Sequence, residues 1–299
     1  MSIKFGGQAL IEGVMIRGRQ YNTVAVRCPD GSIDIKSDSI GWKWTSPYRK
    51  IPFLRGILVL AETLYIGTKS LLYSSAVSTG ESSDSVRSSD MIIVLTLSIS
   101  IAIIVFFLTP LFAASFISRF LSATWIPLIE GVLRVSFFII YLLLIRKSKD
   151  VMRVFQYHAA EHMSIHAHEH DEDLIPSNVR KYAFAHPRCG TAFLLIVFII
   201  SFIVFNFVGH DPLWWMFLSR IVLILPIAGC SYELIHFAAL NSSNLIGRFI
   251  NKPSLALQSL TTDYPDDDQI EVAIAAVSYT HLRAHETLRY LVCRLLLEK

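Results

Sequence analysis

The sequence predicts a mainly α-helical, polytopic membrane protein of about four spans, with a small N-terminal β-hairpin region and an interfacial helix. Three observations carry this. Hydrophobic residues make up 53% of the 299-residue chain and charged residues only 17%, below the roughly 25% usual in soluble proteins. Mean hydropathy is +0.49. Four apolar runs are each near or above the ~20 residues needed to cross a hydrocarbon core. The basic residues gather beside these runs rather than in a patch interleaved with aromatics, so the expected partner is the lipid bilayer and not nucleic acid.

Residues 1–50 read as a separate cytoplasmic region. Thr23–Val26 and Ser32–Ile35 are β-favouring runs joined by Cys28-Pro29-Asp30-Gly31, a good hairpin turn. The start of the chain lacks the short basic stretch and apolar core of a signal peptide. Residues 51–90 read as an interfacial helix followed by a Ser- and Asp-rich linker. The run 51–77, interrupted by Arg55, Glu62 and Lys69, reads as an interfacial or a re-entrant helix; a full span would overturn the charge-based topology.

Residues 91–147 hold the first two spans. Residues 91–117 carry no charge, with Pro110 expected to bend or end the helix; 126–145 are apolar apart from Glu130 and Arg134, spaced to pair at i, i+4. Residues 148–188 form a His-rich loop or helix, and 189–240 hold the third and fourth spans, 189–208 and 213–240. The fourth carries Arg220, Glu233 and His236.

Arg146, Lys147, Lys149, Arg153, Arg180, Lys181 and Arg188 crowd the connection between the second and third spans. The positive-inside rule then puts that connection and both termini in the cytoplasm. Trp125, Trp214 and Trp215 fall at the outer interface.

Residues 241–277 read as C-terminal cytoplasmic helices, one of them capped by Asp266, Asp267 and Asp268. Residues 278–299 resemble translated sequencing-adapter read-through and are read as an artefactual tail, which sets aside His281, His285, Glu286 and Cys293. The four cysteines, Cys28, Cys189, Cys230 and Cys293, are far apart and form no C-x-x-C pair, so reduced thiols are expected.

The chemistry centres on His158-Ala159-Ala160-Glu161-His162. On a helix, H-x-x-E-H puts two imidazoles one turn apart, within reach of one metal ion. Glu161 is then a candidate general base. A catalytic zinc has three protein ligands and one open position. Glu233 is a candidate third ligand because a carboxylate inside an apolar run is costly and needs a function or a partner. His186 and Cys189, at i, i+3 before the third span, compete for the remaining positions. His166, His168 and His170 run into an acidic stretch and read as exposed rather than as core ligands. The competing reading of the whole cluster is a solvated polar helix.

Five separated motifs occur in order. They are Gly6-Gly7-Gln8-Ala9-Leu10-Ile11-Glu12-Gly13-Val14-Met15-Ile16-Arg17, Tyr157 to His162, His186-Pro187-Arg188-Cys189-Gly190-Thr191, Ser231-Tyr232-Glu233, and Pro265 to Ala273. Together they resemble the YqhQ family over residues 2–277. The resemblance implies a bacterial cytoplasmic (inner) membrane protein and a metal-dependent enzyme, and supplies no substrate. It also gives weight to Glu12 and Arg17, which either line a site or form a structural ion pair.

The expected function is a membrane-embedded, metal-dependent hydrolase with a divalent ion, zinc first, at the cytoplasmic face. His158 and His162 are the leading ligands, and Glu161 activates water for attack on an amide, ester or phosphoester. The alternative is a non-enzymatic scaffold or assembly factor with a structural His/Cys site. A closed shell of His158, His162, His186 and Cys189 would favour that alternative, because structural zinc takes four protein ligands.

Overall fold

The computed structural model describes residues 5–281 apart from 19, 42–46, 82–86, 118–119, 121–124, 187–188, 209–211 and 242–243. Pro187, Arg188, His285, Glu286 and Cys293, named above, lie outside the described residues.

The N-terminal region is a four-stranded antiparallel meander rather than a lone hairpin. Strands β1 (Gly6–Leu10), β2 (Gly13–Arg17), β3 (Tyr21–Arg27) and β4 (Ile33–Ser39) follow in the order β1-β2-β3-β4. The expected hairpin is β3–β4, closed by Cys28 N–H to Ser32 O at 2.8 Å, with Gly31 at φ 85°. Glycines with little strand propensity of their own obscure β1 in the sequence. Its turn to β2 is two residues, Ile11 and Glu12, with Glu12 at φ 51°.

Side chains alternate across this sheet and bury both faces. Leu10, Met15, Val24 and Val26 pack on Tyr73 of α1 (Leu54–Ser78). Val14, Ile16 and Ala25 pack on Tyr157, Ala160 and Met163 of α5 (Lys149–Glu169), together with Ile270, Ala273 and Val277. The sheet is therefore sandwiched between α1 and α5.

Helix α2 (Ser88–Ile103) runs through a π-helical turn at Ile104–Leu108 into α3 (Thr109–Ile117). Pro110 does not end the helix. It cannot donate to the carbonyl four residues back, that of Phe106, and Arg134 Nε on α4 (Ile126–Ile145) donates to that oxygen at 2.9 Å. The expected Glu130–Arg134 pair is present, and Arg220 joins it, with Nη2 2.8 Å from Glu130 Oε2. All three side chains are at most 1% exposed.

After the short α6 (Pro176–Val179), α7 (Thr191–Phe207) carries no charge. The fourth expected span is broken into α8 (Leu213–Val222) and α9 (Ile224–Leu240), bent by 41°. Pro226 explains the break, because it removes the bond to the Val222 carbonyl and crowds it. Two helices, residues 89–117 and 126–145, are long and apolar enough to cross a membrane, or up to three if the bent pair is one span. At 17 residues α7 is shorter. The structure thus supports two to three such helices where the sequence predicts four.

Helix α1 runs 25 residues and docks at its start on α9, where a Cβ on Gly56 would lie 2.7 Å from Tyr232 Cβ. Helix α10 (Leu245–Thr261) packs Leu257 among Phe198, Phe205 and Ile227 of the helical core. A final helix, α11, spans 267–281. It is capped as expected, Asp266 and Gln269 exchanging side-chain-to-backbone bonds at 2.8 and 3.0 Å. Residues 278–281 continue this helix, and Thr280 is buried with its hydroxyl on Ala276 O at 2.8 Å.

Candidate metal centre

His158 and His162 lie one turn apart on the buried side of α5, with ring centroids 4.4 Å apart. Each ring is fixed by a backbone carbonyl at Nδ1: His158 by Thr261 O at 2.8 Å, His162 by Phe184 O. A carbonyl only accepts, so each Nδ1 carries a proton, and in the neutral imidazole each Nε2 then presents a lone pair. This is the tautomer a metal needs, held by the kind of outer bond that orients ligating histidines. His158 Nε2 is 3.1 Å from Cys189 Sγ. One ligand atom from each of His158, His162 and Cys189 lies within 4.8 Å of the others. Two imidazoles and one thiolate are a zinc-type donor set, one short of a closed tetrahedron.

The segment bearing Cys189 is positioned from α10. Gln258 accepts from His186 N–H at 2.8 Å and donates to His186 O at 2.9 Å. Cys189 N–H then closes a turn onto His186 O at 3.2 Å. This clamp has no sequence signature, since Gln258 is one polar residue in an amphipathic helix.

Glu161 is buried beside the histidines. Desolvation pushes its carboxyl up to about 8; a proton on His158 would oppose this, and a Cys189 thiolate adds to it. Burial lowers the pKa of His162, which favours the neutral imidazole. Gly7 of β1 makes the room for Glu161: a Cβ there would overlap the carboxyl and lie 2.9 Å from Glu161 Cγ. Gly7 is the contribution of the N-terminal motif that sequence reasoning missed. The pair Gly6-Gly7 was the available signal.

A cavity of about 510 Å³ adjoins these groups, lined among others by Gly7, Ala9, Leu60, Leu64, His158, Glu161, His162, His186, Cys189 and Phe193.

Of the competing ligands, His186 belongs to a second group with His166 and Glu169, whose ligand atoms also fall within 4.8 Å of one another. His186 Nε2 is 3.7 Å from Glu169 Oε2, and His166 Nε2 bonds Ala185 O at 3.1 Å. His166, read as exposed from sequence, is half-buried and joins the buried His186 in this second group. Glu169, three residues on from it, was missed.

Glu233 is not brought to the histidines. Arg55 of α1 pairs with it, and Phe53 N–H donates to its Oε1 at 3.0 Å. Phe53 has φ 65°, so this carboxylate anchors a strained start of α1. Glu12 and Arg17 are both ion-paired, but not to each other: Glu12 meets Arg153 and Tyr157, and Arg17 meets Glu62.

A helical protein with an N-terminal sheet capping a buried His/Cys/Glu cluster matches one family on comparison. Residues 51–282 fit the family described as protein of unknown function (DUF1385). The chain is 33% identical over 286 residues to the uncharacterized protein YqhQ of Bacillus subtilis (strain 168), covering 90% of each. The chain belongs to this family, as its five motifs implied. No solved structure matches it.

Proposed function

We propose that this protein is a membrane-embedded, metal-dependent hydrolase, with zinc held by His158, His162 and Cys189 and with Glu161 as general base. The observation that carries the reading is the convergence of three ligand atoms on the wall of a cavity, with a buried carboxylate beside them and no fourth protein ligand among the described residues. His186, which would close the shell in a structural site, is turned toward Glu169 instead.

A zinc ion in this pocket supplies Lewis-acid chemistry. Glu161 accepts a proton from the attacking water and delivers it to the leaving group. The Thr261 and Phe184 carbonyls hold the two rings in register.

The membrane assignment rests on outward-facing apolar side chains. Ile92, Ile93, Leu97 and Ile101 of α2 and Val132, Ile140 and Leu144 of α4 are exposed. Such a surface belongs against lipid. The sheet packs on α5, so the N-terminal region and the His cluster share one side, and the basic residues beside α5 favour the cytoplasm of a bacterial inner membrane for that side.

The test is hydrolysis of a small activated ester by the detergent-solubilised full chain, wild type against Glu161→Gln. The proposal expects kcat to fall by about 10²-fold or more while bound zinc is retained. Equal turnover by both proteins overturns Glu161 as the base.

A further inference from the structure

Strand β1 is an edge strand, and its outer side runs along the cavity. The parity of the ladder identifies which backbone groups face outward. Glu12 O accepts from Arg27 N–H and Gly18 N–H donates to Tyr21 O, both at 2.8 Å. Even-numbered residues of this stretch therefore bond to β3, and Gly13, Met15 and Arg17 bond to β1, opposite Leu10, Gln8 and Gly6. The amides and carbonyls of Gly7 and Ala9 then point away from the sheet. Both residues line the cavity with Glu161 and His158, and neither has a further backbone partner among the described residues.

The two walls of this slot are known. The Gln8 side chain packs against Gly67 of α1, and the opposite face of the strand meets Glu161 of α5 at Gly7. Between them lies a row of backbone donors and acceptors repeating every ~6.8 Å, two residues of strand. That row matches the backbone repeat of another extended chain. A lipid ester offers acceptors only and leaves the Gly7 and Ala9 carbonyls without donors, at a cost once water is excluded.

We propose that the substrate is an extended polypeptide segment that pairs with Gly7 and Ala9 as a fifth strand, delivering a backbone carbonyl to the Glu161–His158–His162–Cys189 end of the cavity. This rests on the hydrolase reading above and names its substrate class. Apolar positions such as Leu60, Leu64 and Phe193 receive its alternate side chains. The reaction adds water across one peptide bond. The water oxygen joins the carbonyl carbon, the C–N bond breaks, and the proton taken by Glu161 goes to the leaving nitrogen. One carboxylate and one amine result, with no redox change.

The experiment measures fluorescence anisotropy of a fluorescein-labelled decapeptide of alternating valine and serine on the solubilised full chain bearing Glu161→Gln, which prevents turnover. Adding Ala9→Pro removes one cavity-facing donor while sparing the β1–β2 ladder, as an edge strand tolerates. Affinity is expected to fall about tenfold, the scale of losing a buried hydrogen bond or two. A second arm needs no protein variant: N-methylation at one set of alternate residues abolishes binding, while the other set is tolerated. No binding, or equal binding by both methylated peptides and by Ala9→Pro, overturns the proposal. Fatty-acid release from palmitoyl-oleoyl phosphatidylglycerol vesicles without peptide binding also overturns it and makes the lipid the substrate. Turnover of the small ester without peptide binding sinks strand pairing alone. Register-dependent peptide binding without any hydrolysis by wild type sinks the hydrolase reading and leaves strand pairing standing.

Discussion

Gly7 and Glu161 occupy each other's space: the carboxyl of α5 fills the volume that any side chain at position 7 would take. A glycine in a strand is weakly stabilising at best, so this one marks a close approach. Gly7→Ala is predicted to displace Glu161 and cost about 10²-fold in kcat, the scale of a 1 Å misplacement. It is also expected to destabilise by about 1–3 kcal/mol through overpacking. Gly6→Ala, with nothing within 4 Å of its Cβ, leaves the melting temperature unchanged. Ester turnover and thermal unfolding of the two variants check this.

Glu130 bridges Arg134 and Arg220 in the helical core, and Phe205 lies 5.2 and 4.6 Å from the two guanidinium carbons. Removing the shared anion leaves two buried cations facing each other. Glu130→Gln is predicted to destabilise by about 3–5 kcal/mol. Thermal unfolding in detergent reads this directly, and a shift of less than 1 °C contradicts it.

Glu12 gives the fold a pH dependence outside the helical core. The Arg153 hydrogen bond holds its carboxyl below the usual range against partial burial, and the Arg153 charge and Tyr157 hydroxyl add to this. A carboxyl lowered on folding stabilises the fold above its unfolded value, about 4.3. That stabilisation is lost as pH falls through the folded value. Glu12→Gln should therefore melt below wild type at neutral pH, with the two curves converging in acid. Melting temperature against pH is the measurement, and a constant gap refutes it.

Glu233 is predicted to be a structural anchor. Glu233→Gln weakens the Arg55 pair and the tie to Phe53 at the start of α1. It should lower the melting temperature and leave the metal content unchanged. Loss of metal in this variant would restore Glu233 as a ligand.

The apolar run 126–145 was legible to the residue, because nothing but an i, i+4 ion pair interrupts it. So was the two-histidine turn of α5, whose spacing is local. The third member of the cluster was legible only as one of three candidates, Glu233, His186 and Cys189. Cys189 reaches His158 across 31 residues through a turn held by Gln258, and no periodicity encodes that. Glu233 drew attention because a carboxylate in an apolar helix needs a partner, and the partner is Arg55, 178 residues away. Strands β1 and β2 were obscured by glycines that admit Glu161 at position 7 and the β3 backbone at position 13, where a Cβ would lie 2.5 Å from Ala25 O. The break in the fourth span was written in Pro226, but hydropathy alone does not register a proline.

Elemental analysis of the purified full chain decides whether His158, His162 and Cys189 hold a metal ion. Wild type should hold about one zinc per chain. His158→Ala and Cys189→Ser should each hold almost none, and His186→Ala should keep its full complement. A wild-type protein without metal, or a His186→Ala variant as empty as Cys189→Ser, would rule out a centre built on these three ligands.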